Sequence, residues 1–501
     1  MRDFEVLPEN WKTVPLSLVV NIVRGVTYKK KDSSDTSDDG LLPILRANNI
    51  QNDQLHFDDL VYVPKGKISQ YQKIKKGDIV VAMSSGSRNV VGKTARATED
   101  WIGGFGAFCG VLRPLDVISD GYIGLFTSSG QYRLKASDLA AGVNINNLKP
   151  SHFDEIQIPI APLAEQKQIA AKLHELLAQV DAIKARLDAI PGILKRFRRS
   201  VLAGAVSGRL TKEWRKNNEF IAGPQLSSIC RENPVSKKGD FVTDLLPELP
   251  ANWCYAQVKE IGQVQLGRQR SPKYHTGENM RPYLRVMNVK EGYIDTSDVM
   301  EMVFDDADYK KYELSPGDIL LNEGQSHELI GRPAIYCGEI SGACFTNTLI
   351  RFRPHKPLSS EFCLLVFLSQ MKSGRFQEIA SRTVNISHLG SGRFAELEFP
   401  FPPFEEQTEI VRQVDQLFTF AHNIEKRVKE AQNCVKQLTQ SILAKAFRGD
   451  LTAEWREQNP DLITGENSAE ALLNRIKVER AAKAPKKKTR KRRAKPKTEK
   501  V

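Results

Sequence analysis

The chain repeats itself at long range, and that repeat limits what it can fold into. LPENW at 7–11 returns as LPANW at 249–253, and KKGDIV at 75–80 returns as SPGDIL at 315–320. VLRP at 111–114 matches RFRP at 351–354, and IPIAPLAEQKQI at 158–169 matches FPFPPFEEQTEI at 399–410. SVLAGAVSGRLTKEWR at 200–215 matches SILAKAFRGDLTAEWR at 441–456. The offset stays between 240 and 242 throughout. A constant offset over this length means a tandem duplication, so the fold must be one unit built twice. The copies span about 1–215 and about 249–456.

Each copy changes character part-way. Its first part mixes short β-rich runs, such as 78–82 and 317–321, with Gly, Asn and Ser turns, which reads as an α+β head. A long helix follows a proline-rich stop. Its apolar positions are Ile169, Leu173, Leu176, Val180, Ile183, Leu187, Ile190 and Leu194 in the first copy. The second copy has Ile410, Val414, Leu417, Ala421, Ile424, Val428, Ala431, Val435, Leu438 and Ile442. Steps of four and three make an a/d seam. Pro191-Gly192 should kink or break the first helix; the second has no such interruption. Two exposed seams are best buried against each other, antiparallel. The expected fold class is therefore α+β: two globular domains separated by a long antiparallel two-helix coiled coil, related by a pseudo-twofold axis.

A net charge of +13 invites a reading as a basic DNA binder, but the charge is unevenly placed. The last 22 residues hold 12 Lys and Arg with one acid, a local +11, leaving 61 basic against 59 acidic residues, or +2, elsewhere. The N-terminal MRDFEVLPENW carries acids where a signal peptide would be apolar, and no run of 18 apolar residues suggests a membrane span. Seven scattered cysteines with no C-x-x-C pair suit reduced thiols in a cytoplasmic protein, and neither they nor the histidines form a metal-ligand pattern.

Two matched heads on a rod have a geometric use. About 26 helical residues, Glu165 to Ile190, span roughly 39 Å, close to the about 34–36 Å between DNA half-sites one turn apart. Because the heads have diverged, each can read a different sequence. Positions shared by both, Arg46 with Arg285 and Asn49 with Asn288, suit the fold or phosphates. Divergent polar loops suit base edges. Candidate DNA-binding residues in head one are Tyr28, Lys29, Lys30, Arg46, Asn48, Asn49, Ser84, Ser85, Ser87, Arg88 and Lys93. In head two they are Arg268, Gln269, Arg270, Lys273, Arg285, Asn288, Gln325, Ser326, His327 and Arg332.

Enzymatic signatures fail on inspection. Gly86 to Gly92, followed by Lys93-Thr94, has five residues between its glycines where a phosphate-binding loop has four. Phe401-Pro-Pro-Phe404 resembles the N-P-P-F/Y motif of amino-methyltransferases, but its first residue cannot hydrogen-bond a target amino group, and no glycine-rich cofactor motif accompanies it. Pro460-Asp461 lacks the E-x-K of a nuclease metal site. No catalytic residue and no metal ligand is expected. Two alternatives remain at this point: a stand-alone adenine DNA methyltransferase, or a regulatory DNA-binding protein.

RGVTYKK, LPILRANNIQN, AMSSGS, FGAFCGVLRP, GVNINNLKP and PLAEQKQIAAKL with the LTKEWR ending resemble the specificity subunits of Type I restriction–modification systems, the enterobacterial K/B-type family in particular. The resemblance runs to about residue 456. It implies target-recognition domains at 1–157 and 249–398 and conserved helical spacers at 158–215 and 399–456. The linker at 216–248 and the basic tail at 457–501, the latter expected to be disordered, have no partner in the repeat, and the tail's charge departs from the family's pattern. The resemblance also implies a non-catalytic subunit that reads an asymmetric bipartite target in double-stranded DNA. Two modification subunits and two restriction subunits would dock on it. S-adenosylmethionine, ATP and Mg would sit on those partners, and no cofactor on this chain.

Overall fold

The computed structural model describes residues 7–142, 145–218, 246–382 and 386–483. Most of the expected linker, and the tail beyond 483, lie outside them. The chain divides into two compact units: one runs to Leu187 and resumes at Ala431, and the other is Asp188–Glu430. Each unit takes its α+β head from one copy of the repeat, but helical segments from both.

The first head is built on an antiparallel four-stranded sheet, Val20–Arg24, Cys109–Pro114, Ile79–Ala82 and Thr94–Arg96 in spatial order. All four residues of Ile79–Ala82 are buried. Side chains alternate across a strand, so Ile79 and Val81 enter one core while Val80 and Ala82 enter another. A three-stranded sheet (Gly104–Phe105, Leu41–Leu45, Val61–Pro64) and a short pair (Lys12–Pro15 with Gln157–Ile160) complete the head. The second head repeats this plan with Gly262–Leu266, Leu349–Pro354, Ile319–Asn322 and Pro333–Ile335, and the two apolar runs read from sequence fall on its Ile319–Asn322 strand and on Ile79–Ala82.

The long helices span Leu163–Val206 and Phe404–Arg448. In the second unit Val201, Leu202 and Ala205 share a core with Ile410 and Val414. Arg198 donates to Glu425 at 2.5 and 3.0 Å, so the helix segments run antiparallel. In the first unit Ile169 and Leu173 share a core with Leu443, Ala446 and Phe447, whose ring meets Tyr122 and Phe126 edge-on. The seam is incomplete: Ile183 and Leu438 are 46% and 47% exposed. The expected break at Pro191 does not occur; the helix continues through it. A proline removes one donor, and at this turn, where Pro191, Gly192 and Ile193 are exposed, water can satisfy the carbonyl that loses it.

The most conserved patches of the repeat meet in one buried polar node per unit. In the first, Glu165 is fully buried and accepts hydrogen bonds from Trp11 Nε1 (2.9 Å), Thr452 Oγ1 (2.8 Å) and Arg456 (2.5 Å). In the second, Glu406 accepts from Trp253 Nε1 (2.8 Å), Thr211 Oγ1 (2.7 Å) and Arg215. Gly449 and Gly208 hold positive φ of +86° and +69°, and a Cβ there would lie 2.5 Å from Pro8 and Pro250. The neighbouring Gln166 and Gln407 receive the Ser119 and Ser359 backbone N–H groups. Each node thus joins the LPxNW and PxxEQ segments of one copy to the LTxEWR ending of the other.

Two further expectations change. The tail is partly ordered: Ala469–Lys483 is a helix whose Ala469, Leu472, Leu473 and Ile476 are buried in the first unit's core, with Arg480 donating to the Val20 carbonyl. Apolar side chains at i, i+3, i+4 and i+7 give it a burial stripe. Cys254 is disulfide-bonded, against the expectation of reduced thiols throughout. Among the described residues no helix is long and apolar enough to cross a membrane.

Removing a partner from a buried ion pair strands the remaining charge, a loss of about 3–5 kcal/mol. Glu165→Ala should lower the stability of the first unit by that amount, and Glu406→Ala that of the second. Hydrogen exchange under urea, resolved by peptide, checks both; losses below about 1 kcal/mol would remove the node from its structural role.

Candidate nucleic-acid interface

In head one the sheet ends in a mouth formed by three segments. Gly25 lies so near Gly106 that a Cβ would fall 2.0 Å from its carbonyl oxygen, and Val26 N–H donates to Phe105 O at 2.7 Å. The 105–109 turn then receives Met83 and Ser84 N–H on the Phe108 carbonyl (2.8 and 3.1 Å). Ser84–Ser85 pairs with Asn146–Asn147 as a two-stranded ribbon, with Ser84 Oγ donating to Asn147 Oδ1 at 2.7 Å. Leu148, fully buried, pins the ribbon through its N–H to Met83 O. These segments enclose a cavity of about 380 Å³ lined by Arg24, Thr27, Ser84, Phe108, Asn147 and Lys149 among others, with no carboxylate in its lining.

Head two builds the same frame. Leu266 takes the place of Arg24 in the strand register, and Arg268 bridges Thr346 as Val26 bridges Gly106. Gly324–Gln325 pairs with Ser387–His388, and Leu389 N–H is held by Glu323 O. Side chains at matching positions differ: Thr348 for Phe108, His388 for Asn147, Gly324 for Ser84 and Gly390 for Lys149. His388 Nδ1 lies 3.1 Å from Glu323, and His327 Nδ1 lies 3.2 Å from Ser387 Oγ.

The candidate residues fall into three groups. Tyr28, packed beside Gly106, and Ser84 and Ser85 belong to the first mouth, with Lys29 and Lys30 exposed on the loop that follows. Gln269, Arg270, Lys273, Gln325, Ser326 and His327 occupy the corresponding loops of head two. There Arg270 and Lys273 lie over the Tyr283 and Tyr274 rings. Arg332 is half-buried, with its backbone carbonyl accepting from Asn322 N–H.

A second group lies elsewhere on the surface. Arg46 and Asn48 both bind Asp59, and Arg285 binds Asp298. Arg88 pairs with Asp138 and Ser137 on the Gly130–Leu139 helix, exposed Ser87 donates its N–H to Ser85 Oγ, and Lys93 is half-buried.

The third group is committed to the fold. Asn49 and Asn288 are 1% and 2% exposed; each caps the turn begun by Arg46 or Arg285 and donates to two later carbonyls. Arg268 is 8% exposed, stacked over Tyr274 and Phe304 and paired with Asp308 at 2.8 Å. These three do not present their polar groups to a ligand. Reading residue types included Arg24 only as the start of the 24–31 loop, and missed Phe108, Asn147, Lys149 and His388. Phe108, 69% exposed, is the clearest omission. FGAFCGVLRP and GVNINNLKP carried the signal only as family-like stretches.

The profile of the Type I restriction modification DNA specificity domain matches twice, over residues 8–191 and 250–432. The chain belongs to that family. It is 45% identical to the Type I restriction enzyme EcoKI specificity subunit of Escherichia coli (strain K12), covering 97% of this chain and 98% of that one. It is 44% identical to the StySPI specificity subunit of Salmonella potsdam, covering 97% and 98%. A solved chain from work on assembly and conformational transition of the type I R-M system shares the fold, with a TM-score of 0.61 at 16% identity over 89% of this chain and 99% of that one.

Fold and reading roles separate experimentally. Asn49→Ala should cost head one about 1–3 kcal/mol, since it leaves buried carbonyls and an N–H unpaired. Lys29→Ala with Lys30→Ala should change stability by less than about 0.5 kcal/mol each and reduce the salt slope of DNA binding by about two. Denaturant titration and a binding series in salt check both.

Proposed function

We propose that the chain reads an asymmetric, two-part target in double-stranded DNA, one half with the mouth of each head. One observation carries the reading: two similar backbone frames, sharing the hydrogen bonds made by the N–H groups of Val26 and Arg268, Met83 and Glu323, and Leu148 and Leu389, present different side chains at matching positions. A frame built twice recognises the same class of ligand twice, and altered side chains select different bases. Arg24, Lys29, Lys30 and Lys149 give the first mouth the charge that phosphates require. The ion pair between Arg46 and Asp59 is exposed, so exchanging that carboxylate for a phosphate loses only about 0–1 kcal/mol.

Family membership makes the chain a non-catalytic specificity subunit of a Type I restriction–modification system. Neither a stand-alone adenine methyltransferase nor a regulatory DNA-binding protein is favoured by it. In this reading two modification subunits pack along the long helices and carry S-adenosylmethionine. Two restriction subunits carry ATP and Mg, and the assembly works in the cytoplasm on adenines of each half-site.

Exchanging the residues 7–157 head for that of a relative tests the division of labour. Sequencing of methylated adenines should show one half of the motif replaced and the other kept. Replacement of both halves would defeat the two-mouth reading.

A further inference from the structure

The 105–109 turn holds a phenylalanine in water at the rim of the first mouth. Phe108 is 69% exposed, more than any other aromatic side chain among the described residues. The backbone fixes the ring outward. Phe105 and Cys109 on either side are buried in one core, Cys109 N–H donates to Gly106 O at 2.8 Å, and the Phe108 carbonyl accepts from Met83 and Ser84. Gly25 packs against the same turn, and a Cβ there would lie 2.8 Å from the Cys109 carbonyl oxygen. A ring left in water forgoes the stabilisation that burial would give, so folding alone does not account for Phe108.

The second head keeps the turn and drops the ring. Thr348 stands at the matching position, and its carbonyl still accepts from the Glu323 N–H at 2.9 Å. Its hydroxyl oxygen lies 3.0 Å from Thr346 Oγ1 and accepts from the Val286 N–H at 3.2 Å, so that side chain is committed to the fold. One turn built twice therefore offers an uncommitted ring in one head only.

We infer that Phe108 enters one base step of the half-site read by head one and stacks on a base there, a contact that head two lacks. This rests on the reading of each mouth as a reader of DNA. The surroundings select a base as the ring's partner. Phe108 lines the same cavity as exposed Arg24 and Lys149, and that lining holds no carboxylate, which suits a polyanion. Phenylalanine is among the side chains that proteins insert between base pairs, and every base offers a flat face on which a ring can stack. A modification subunit that docked alike on both heads would favour one side chain at both positions, and here they differ. Opening a step costs least where a pyrimidine precedes a purine, so the ring makes head one select such a step through deformability as well as through base edges.

The test uses the complex with its modification subunits on a duplex carrying the mapped target, with 2-aminopurine placed singly at each position apart from the methylated adenines. The parent complex should raise fluorescence at one step of the head-one half, with no counterpart in the head-two half. Phe108→Ala should lower that signal about threefold or more and weaken binding about tenfold, and Phe108→Tyr should keep the parent affinity. Thermal melting of both variants should match the parent, because the ring packs in no core. Unchanged fluorescence and affinity in Phe108→Ala would overturn the inference, as would a counterpart signal in the head-two half. Loss of modification subunits from Phe108→Ala would also overturn it, because that marks a protein contact. Arg24→Ala combined with Lys149→Ala separates this inference from the reading beneath it. Unchanged DNA affinity in that double variant would defeat the mouth as a reader of DNA. Weakened affinity there, beside a Phe108→Ala complex that behaves as the parent, would defeat the stacked ring alone.

Discussion

A carboxylate with no exposure to water, Glu165 in one unit and Glu406 in the other, holds together segments that are remote in sequence. Each accepts an indole N–H from the start of its own repeat, and a hydroxyl and a guanidinium from the end of the other repeat. A buried charge is tolerated only when its acceptor sites are filled, so neither head is complete within one copy. Each long helix must therefore begin at one node and lead into the LTxEWR ending that closes the other. This requirement accounts for the long uninterrupted helices, their antiparallel sense and the lasting likeness of these particular patches.

With the framework held in this way, the mouths are free to vary. The strands, the 105–109 turn and the ribbon are set by backbone hydrogen bonds and by buried anchors such as Leu148 and Leu389. Side chains at the rim contribute little to that framework, so Phe108 can become Thr348 and Asn147 can become His388 without disturbing it. Stability and specificity therefore occupy different residues, and a recognition surface can diverge twice on one scaffold.

Much of the fold was legible in the sequence, because a duplication and an a/d seam are periodic signals. The convergence of Trp11, Thr452 and Arg456 on Glu165 was not, because periodicity carries no information about which segments, some 440 residues apart, share a partner. Pro191 suggested a kink or break, and no break occurs: the helix runs on through an exposed turn, Pro191 to Ile193. The Ala469–Lys483 helix was hidden by the basic run around it, although its apolar spacing was present to be read. At the site, residue type identified the loops but not their members. Arg268 reads as a solvent-facing recognition residue until Tyr274, Phe304 and Asp308 are seen around it. Phe108 was passed over because apolar residues are assigned to cores by default.

The central claim is that two equivalent mouths read two different half-sites. Mapping methylated adenines across the genome of cells carrying this chain and its modification partner tests it most directly. The account predicts a split motif: two unlike specific halves separated by a gap of constant length, with a methylated adenine in each. A palindromic motif, a single uninterrupted one, or a gap that varies from site to site would contradict it.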